Sequence, residues 1–510
     1  MPGLVRDLVT FGAPLLPYAA WKLWYFGDLL PNPFYAKTGT SLEHLKRGWD
    51  YALDVLGAYG LFGMGLVVAG LSLLPAGLRG VEARLLAIAA LWSAYVVLIG
   101  GDVLYLHRFW LHVLPLAAVL LARGVTAIAG RAPLPWRTAA AVALGVLLAG
   151  AGFARNLAAT QERRSQETVF VTNMTATGIW LRDNLPPGST IAIATIGAIS
   201  FHSGLRVIDM LGLTDREVAR EPELIEGLTD TWREIQYNAA SVLRRAPDAI
   251  FFSTSIRPSS AAEKALFCYE WFHRAYYPYY FRSTPYRTSI QNCFMRRPDA
   301  PAFDAARVQP ADFEWIDLYS DGHLAKSKAR DNAAAVELFR GAAEKAPPVT
   351  LWPREWWGVS VYDAGDTTQG LAILRDVAAR DRYATVARGR LAEHAMTQRD
   401  FATAKRLFEE MRAVDPHDNV PWVGLAEIAR TEGDLDTAFA YAREGVRLWE
   451  ISPRHLLLLG VIATQKDEFD IATRAFQRAL ALEPNGEMAE FARQGLSVVE
   501  TLRARPEARP

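Results

Sequence analysis

The chain has 510 residues, too many for one compact core, so two to four domains are expected. Its formal net charge is zero and no stretch is strongly basic, which argues against nucleic acid as the main partner. Cys268 and Cys293 are its only cysteines, and with no CxxC pair or cysteine–histidine cluster a metal site is not expected.

Charge is spread unevenly. Through Thr160 there are 12 Lys/Arg and seven Asp/Glu, against 43 and 48 in the remainder. This charge-poor third holds apolar stretches at roughly 8–25, 53–74, 85–101, 104–122 and 138–154, each near the ~20 residues that cross hydrocarbon. Arg79, Arg84, Arg123, Arg131 and Arg137, opposed by Glu82 alone, assign two linking loops to the cytoplasm. Trp21, Trp24, Tyr25 and Phe26 then form an aromatic belt at the outer end of the first span, and everything after Ala154 lies outside the cytoplasm. No secretory signal is evident, since Arg6 stands beside Asp7 and no small-residue cleavage site follows. In an oxidising compartment Cys268 and Cys293 are candidates for a disulfide worth up to about 3 kcal/mol; the alternative is two buried thiols.

From Gln166 to about Arg297 helices and strands alternate. A helix stops at Pro186-Pro187-Gly188, and Thr190 to Ile196 reads as a buried strand. Residues 205–210, 248–253 and 288–295 are further strand candidates, and the Thr214/Glu217 spacing predicts a capping box. His202, Asp209 and Asp215 are assigned to surface and capping roles rather than to catalysis.

The last third is periodic. Ala404, Ala438 and Ala472 recur at a constant spacing, with Gly370 in the preceding register. Acidic turns precede them at Gly365-Asp366, Arg399-Asp400, Gly433-Asp434 and Asp467-Glu468. Phe408 and Pro416, then Phe476 and Pro484, complete two units, and Ala335, Phe339, Ala342 and Pro347 form a half-unit displaced by one residue. The period and the placement of small, aromatic and proline residues resemble the tetratricopeptide repeat, in which small residues let paired helices approach and an aromatic packs into the next pair. This resemblance implies a concave face for a protein or peptide partner, or a purely structural arm.

Three segments carry a second resemblance. They are Tyr25-Phe26-Gly27-Asp28-Leu29-Leu30-Pro31-Asn32-Pro33-Phe34-Tyr35-Ala36-Lys37, then Gly100-Gly101-Asp102 with His107-Arg108-Phe109 and Pro115, then Val207 through Asp215 (VIDMLGLTD). In this order they resemble the later part of bacterial GT-C-fold glycosyltransferases, similar to mycobacterial arabinofuranosyltransferases and dolichol-phosphate-mannose–protein mannosyltransferases. The family implies transfer of a sugar from a polyprenyl-phosphate donor to a cell-envelope acceptor, with a carboxylate base and a basic residue at the leaving phosphate. The upstream half that carries the family's base is not matched, so the resemblance assigns no catalytic residue. It implies an enzyme lacking its N-terminal catalytic half, completed by a separate membrane subunit. His107, Arg108 and Lys37 are candidates for the donor phosphate, and Asp28 and Asp102 are candidate outer-face carboxylates. His44 shares that face, and His112 is assigned to helix packing.

The fold class expected is multi-domain: a polytopic α-helical membrane bundle of about five spans, a small α/β domain and an all-α repeat superhelix. The boundaries are 1–160 membrane, 161–310 extracytoplasmic α/β, 311–330 linker, 331–500 repeats and 501–510 a disordered tail. The expected protein is a multi-pass bacterial inner-membrane glycosyltransferase with periplasmic soluble domains, partnered by the bilayer and a lipid-linked sugar and needing no cofactor. The alternative is a catalytically inert membrane-anchored scaffold whose repeats recruit an envelope protein.

Overall fold

A computed structural model describes residues 6, 9–37, 42–58, 81–102, 107–130, 133–223, 225–228, 236–253, 256–282, 291–305 and 313–504. The chain forms two compact units: Met1–Val171 with Leu211–Pro222 and Asp230–Tyr237, and Thr172–Met210 with Glu223–Thr229 and Asn238–Pro510.

The first unit is helical: α1 (Leu15–Phe26), α2 (Asn32–Lys37), α3 (Leu42–Ala58), α4 (Val81–Leu98), α5 (Leu114–Ala129) and the start of α6 (Arg137–Asn184), with the short α8 (Arg216–Arg220) added by the second segment. α3 crosses α4 closely, because a Cβ at Gly48 would run into the Val97 carbonyl.

Among the described residues no helix is long and apolar enough to cross a membrane. This overturns the expected polytopic bundle, and with it the multi-pass inner-membrane placement and the periplasmic soluble domains. The reason is length. At ~1.5 Å per residue α1 reaches only about 18 Å and α5 about 24 Å, short of the ~30 Å of hydrocarbon. α4 spans 18 residues, about 27 Å, and has Arg84 in its first turn. In α6 the apolar part is confined between Arg137 and Arg155, and charged residues crowd the helix beyond it. The stretch 104–122 is broken, since Arg108–Trp110 is a 3-10 turn and α5 starts only at Leu114. Most of 53–74 lies outside the described residues.

The second unit begins with the end of α6, which stops at Asn184 before Pro186, as the sequence predicts. A five-stranded sheet follows in the order β2-β1-β3-β5-β4. β1 (Thr190–Ile193), β2 (Arg206–Asp209) and β3 (Ala249–Phe251) are parallel, with α7 (Ala198–Ser203) between the first two and α9 (Ala239–Arg244) before the third. β4 (Tyr276–Phe281) and β5 (Gln291–Arg296) run antiparallel, after α10 (Ala261–Phe267) and α11 (Glu270–Ala275). β4 is unanticipated, because Pro278 interrupts an aromatic run. It is an edge strand, where a missing N–H is tolerated. Alternation splits the sheet's side chains. Ile191, Ile193, Phe251, Tyr279, Phe281 and Cys293 pack with Leu181 of α6. Phe294 packs with Phe272 and Trp352.

Then come five antiparallel helix pairs: α12/α13 (Glu314–Leu324, Asn332–Lys345), α14/α15 (Trp352–Asp363, Thr367–Arg380), α16/α17 (Thr385–Thr397, Phe401–Val414), α18/α19 (Asn419–Glu432, Leu435–Leu448) and α20/α21 (Pro453–Gln465, Phe469–Leu482). α22 (Glu487–Arg503) packs on the last pair. Residues assigned to a linker, 311–330, thus supply α12, and the half-unit at Ala335–Pro347 is the second helix of a full pair. The assigned tail, 501–510, is helical to Arg503, and 505–510 lie outside the described residues.

The repeat signature explains the packing. Asp366, Asp400 and Asp434, each one repeat from the next, cap α15, α17 and α19 by accepting from the N–H of Gln369, Thr403 and Thr437. Ala404, Ala438 and Ala472 are fully buried. Phe408 packs on Gly424, and Phe476 on Gly460 and Gly495, so closely that a Cβ at any of these glycines would enter the ring.

Candidate peptide-binding groove

The second helices of successive pairs end at Asp381, Asp415 and Trp449, again one repeat apart, and each of these turns reaches the region of β4. Asp381 Oδ2 accepts from Arg297 Nη2 at 2.9 Å, and the Tyr383 ring lies 4.4 Å from that of Tyr277. Asp415 Oδ2 accepts from the Tyr280 N–H at 3.0 Å, where a further strand would otherwise supply a carbonyl. The Tyr279 hydroxyl is 2.6 Å from His417 Nδ1. One residue past β4, the Arg282 guanidinium lies 3.2 Å over the Trp449 ring, and its Nε donates to Asn419 Oδ1 at 3.0 Å. The sheet edge is therefore covered by turns of the repeats.

Beside Arg282 a cavity of about 270 Å³ opens on the first helices of three pairs, lined by Tyr280, Trp356, Arg390, Glu393, Asp418 and Asn419 among others. Its surroundings are electrostatically unusual. Burial, and then the charge of Asp418, push Asp415 up to about 8, although it accepts from the Tyr280 and His417 N–H groups. Burial raises Asp418 to about 6 and lowers Arg282 to about 10. Glu355, which accepts from the Ala387 N–H at 2.7 Å, is raised by burial to about 8. His455 falls to about 4, through burial and then the charge of Arg282. Among the described residues no group of three His, Cys, Asp or Glu is placed to hold a metal. The groove offers stacking faces, donors and acceptors, which suits binding of an extended chain.

The candidate phosphate ligands and outer-face carboxylates singled out from sequence lie in the first unit. Arg108 Nε and Nη2 donate to the buried Asp102 carboxylate at 2.6 and 3.2 Å. His107, in a left-handed conformation at φ 51°, has Nε2 2.9 Å from Asp54 Oδ2. Two of the three candidate phosphate ligands, His107 and Arg108, thus already face carboxylates. Asp28 accepts from the Leu30 N–H at 3.0 Å, from Tyr35 Oη at 2.9 Å and from Arg220 Nη1 at 2.6 Å. These partners, the Leu30 N–H first, hold its carboxyl below the usual range. Asp28 is a turn clamp, whereas Lys37 is the last residue of α2. The buried His44 ring sits against Gly100, and His112 packs 4.6 Å from Trp92. The first-unit structure therefore joins Asp102 to Arg108 and His107 to Asp54.

In the α/β region Asp215, rather than Thr214, caps α8 by accepting from the Val218 N–H at 3.2 Å. The expected disulfide is replaced by two buried thiols. Cys268 Sγ donates to the Lys264 carbonyl at 3.6 Å, and Cys293 pairs with Tyr279 across the β4–β5 ladder. Sequence reasoning misses Asp415, Asp418, Asn419 and Arg282. The available signal is the polar turn Asp415-Pro416-His417-Asp418-Asn419, much richer in side-chain ligands than a helix link requires.

A family model described as a domain of unknown function (DUF8728) matches residues 156–295, less than half of the chain. No curated protein matches it. Among solved structures the chain is similar to the MamA RS-1 ArsTM double mutant, at 16% identity over 34% of this chain and 96% of that one, with a TM-score of 0.29. It is also similar to TTC0263, a thermophilic TPR protein of Thermus thermophilus, at 16% identity over 36% and 99%, TM-score 0.29. The Yersinia enterocolitica type III secretion chaperone SycD, solved in complex with a peptide of the translocator YopD, matches at 19% identity over 23% and 92%, TM-score 0.22. Independently of these likenesses, the paired helices, the recurrent caps and the buried alanines make the C-terminal part of the second unit a tetratricopeptide-repeat array.

Proposed function

We propose that this chain is a protein-binding scaffold whose repeats receive an extended peptide segment of a partner along the face built by their first helices. One observation carries the reading: the chain's own Tyr280–Arg282 already lies on that face, held by Asp415 and Asn419, with room beside it. Backbone and side-chain contacts of this kind suit a peptide ligand better than a reacting small molecule. The glycosyl-transfer reading finds no comparable support, because two of its candidate cations, Arg108 and His107, are matched by Asp102 and Asp54.

The test is a displayed peptide library selected on the intact chain, with affinities then measured by calorimetry. Arg390→Ala and Glu393→Ala should each weaken the selected peptides by about tenfold, or about 1.4 kcal/mol. Arg478→Ala, on α21, should leave them unchanged. Peptides indifferent to both cavity substitutions would remove the groove from the mechanism.

A further inference from the structure

We infer that the repeats carry an arginine-binding slot which Arg282 fills from within the chain, and that the partner presents an arginine after aromatic residues to displace it. The inference rests on the groove reading above and adds the chemistry of its ligand.

The slot belongs to the repeats. Its floor is the Trp449 ring at the end of α19, its acceptor is Asn419 Oδ1 at the start of α18, and the buried Asp418 adds attraction. A guanidinium suits these groups because it is planar, stacks on an indole and donates sideways from Nε at the same time. An ammonium can stack but lacks the fixed sideways donor. The His455 ring, 5.2 Å from Trp449 and turned at 85° to it, closes the wall and is kept neutral by burial, so it adds no competing cation.

Arg282 is separable from the sheet. Among the described residues the β4–β5 ladder ends at the Phe281–Gln291 pair, and Arg282 stands one residue past β4. Removing the guanidinium from the slot breaks no backbone hydrogen bond, whereas displacing the Tyr280 amide would break its bond to Asp415. The cavity of about 270 Å³ adjoins Arg282, Asp418 and Asn419, which gives an entering segment a place to engage before exchange. An occupant tethered in the same chain acts at a high effective concentration, so it raises the threshold for any external arginine without closing the site permanently.

The test uses the full chain and two capped tetrapeptides with the sequence of residues 279–282: Tyr-Tyr-Phe-Arg, and the same peptide with uncharged citrulline in place of arginine. Calorimetry should show the arginine peptide binding Arg282→Ala at least about tenfold more tightly than the parent chain. Adding Trp449→Ala should abolish that gain, and the citrulline peptide should bind poorly throughout. Should the alanine variant fail to fold, Arg282→Lys retains a cation yet fits the slot less well, and it too should bind the arginine peptide more tightly than the parent. Equal binding of the two peptides, or no gain in the folded variant, overturns the arginine slot. The groove itself still stands if library peptides depend on Arg390 or Glu393, and falls if they depend on neither.

Discussion

Four residues share one strained task. Gly365, Arg399, Gly433 and Asp467 stand one repeat apart at φ 107°, 57°, 83° and 60°, turning the chain from the first to the second helix of a pair. An L-residue pays roughly 1–2 kcal/mol for this left-handed region, and glycine almost nothing. Gly433→Ala should therefore lower stability by about 1 kcal/mol in urea unfolding. Arg399→Gly should raise it by up to about 1 kcal/mol, offset by the greater entropy of the unfolded chain. Asp415 permits a second substitution. Its carboxyl is raised to about 8 in the folded chain, so its stabilising contribution is complete below about pH 4 and declines as pH rises through 8. Asp415→Asn cannot ionise. The melting temperature of the variant relative to the parent should climb from pH 5 to pH 8 and level off above.

At the scale of elements, the repeats are legible in the sequence because their period fixes their chemistry. A glycine in one helix faces an aromatic in another, as Gly424 faces Phe408. Gly424→Ala should cost on the order of 1–3 kcal/mol by overpacking, and Phe408→Ala about 3–5 kcal/mol by leaving a void. Chemical denaturation of both variants checks this. The parallel strands are legible too, since short apolar runs are set off by Gly188 and Gly204. β4 is not, because Pro278 argues against a strand unless its edge position is known. Two apolar runs of the first unit are broken within the described residues: α1 begins only at Leu15, after a turn at Ala13-Pro14, and the stretch 104–122 contains the 3-10 turn Arg108–Trp110. The groove is hidden for a different reason. Arg282 and Trp449 lie far apart in sequence, on opposite sides of four helix pairs, and only the repeat geometry brings them together.

For the molecule as a whole, the buried ionisable groups of the second unit predict an unusual pH response. His273, His323 and His455 are lowered to about 4, 3 and 4, mainly by burial, so they favour the fold fully above about pH 6.5 and less as pH falls toward 4. Glu355 and Asp415, raised to about 8, act oppositely: their support is greatest in acid and disappears as pH climbs through 8. With Asp418, raised to about 6, three carboxylates oppose the three histidines between about pH 4 and 6, where the stability change should be small. Above about pH 6.5 only the carboxylates still titrate, so the unfolding midpoint should drop toward pH 8. Combining Glu355→Gln with Asp415→Asn should flatten that decline in calorimetric scans, and a decline of undiminished slope would assign it to other groups.

The covering of β4 by the inter-repeat turns has a practical corollary. A polypeptide severed just past Arg297 keeps all five strands yet loses Asp415, which satisfies the outward Tyr280 amide. Bare strand margins recruit one another. Such a truncate should assemble into ribbons or larger aggregates visible by light scattering, while the uncut protein does not, because its own superhelix occupies the place a neighbour would take.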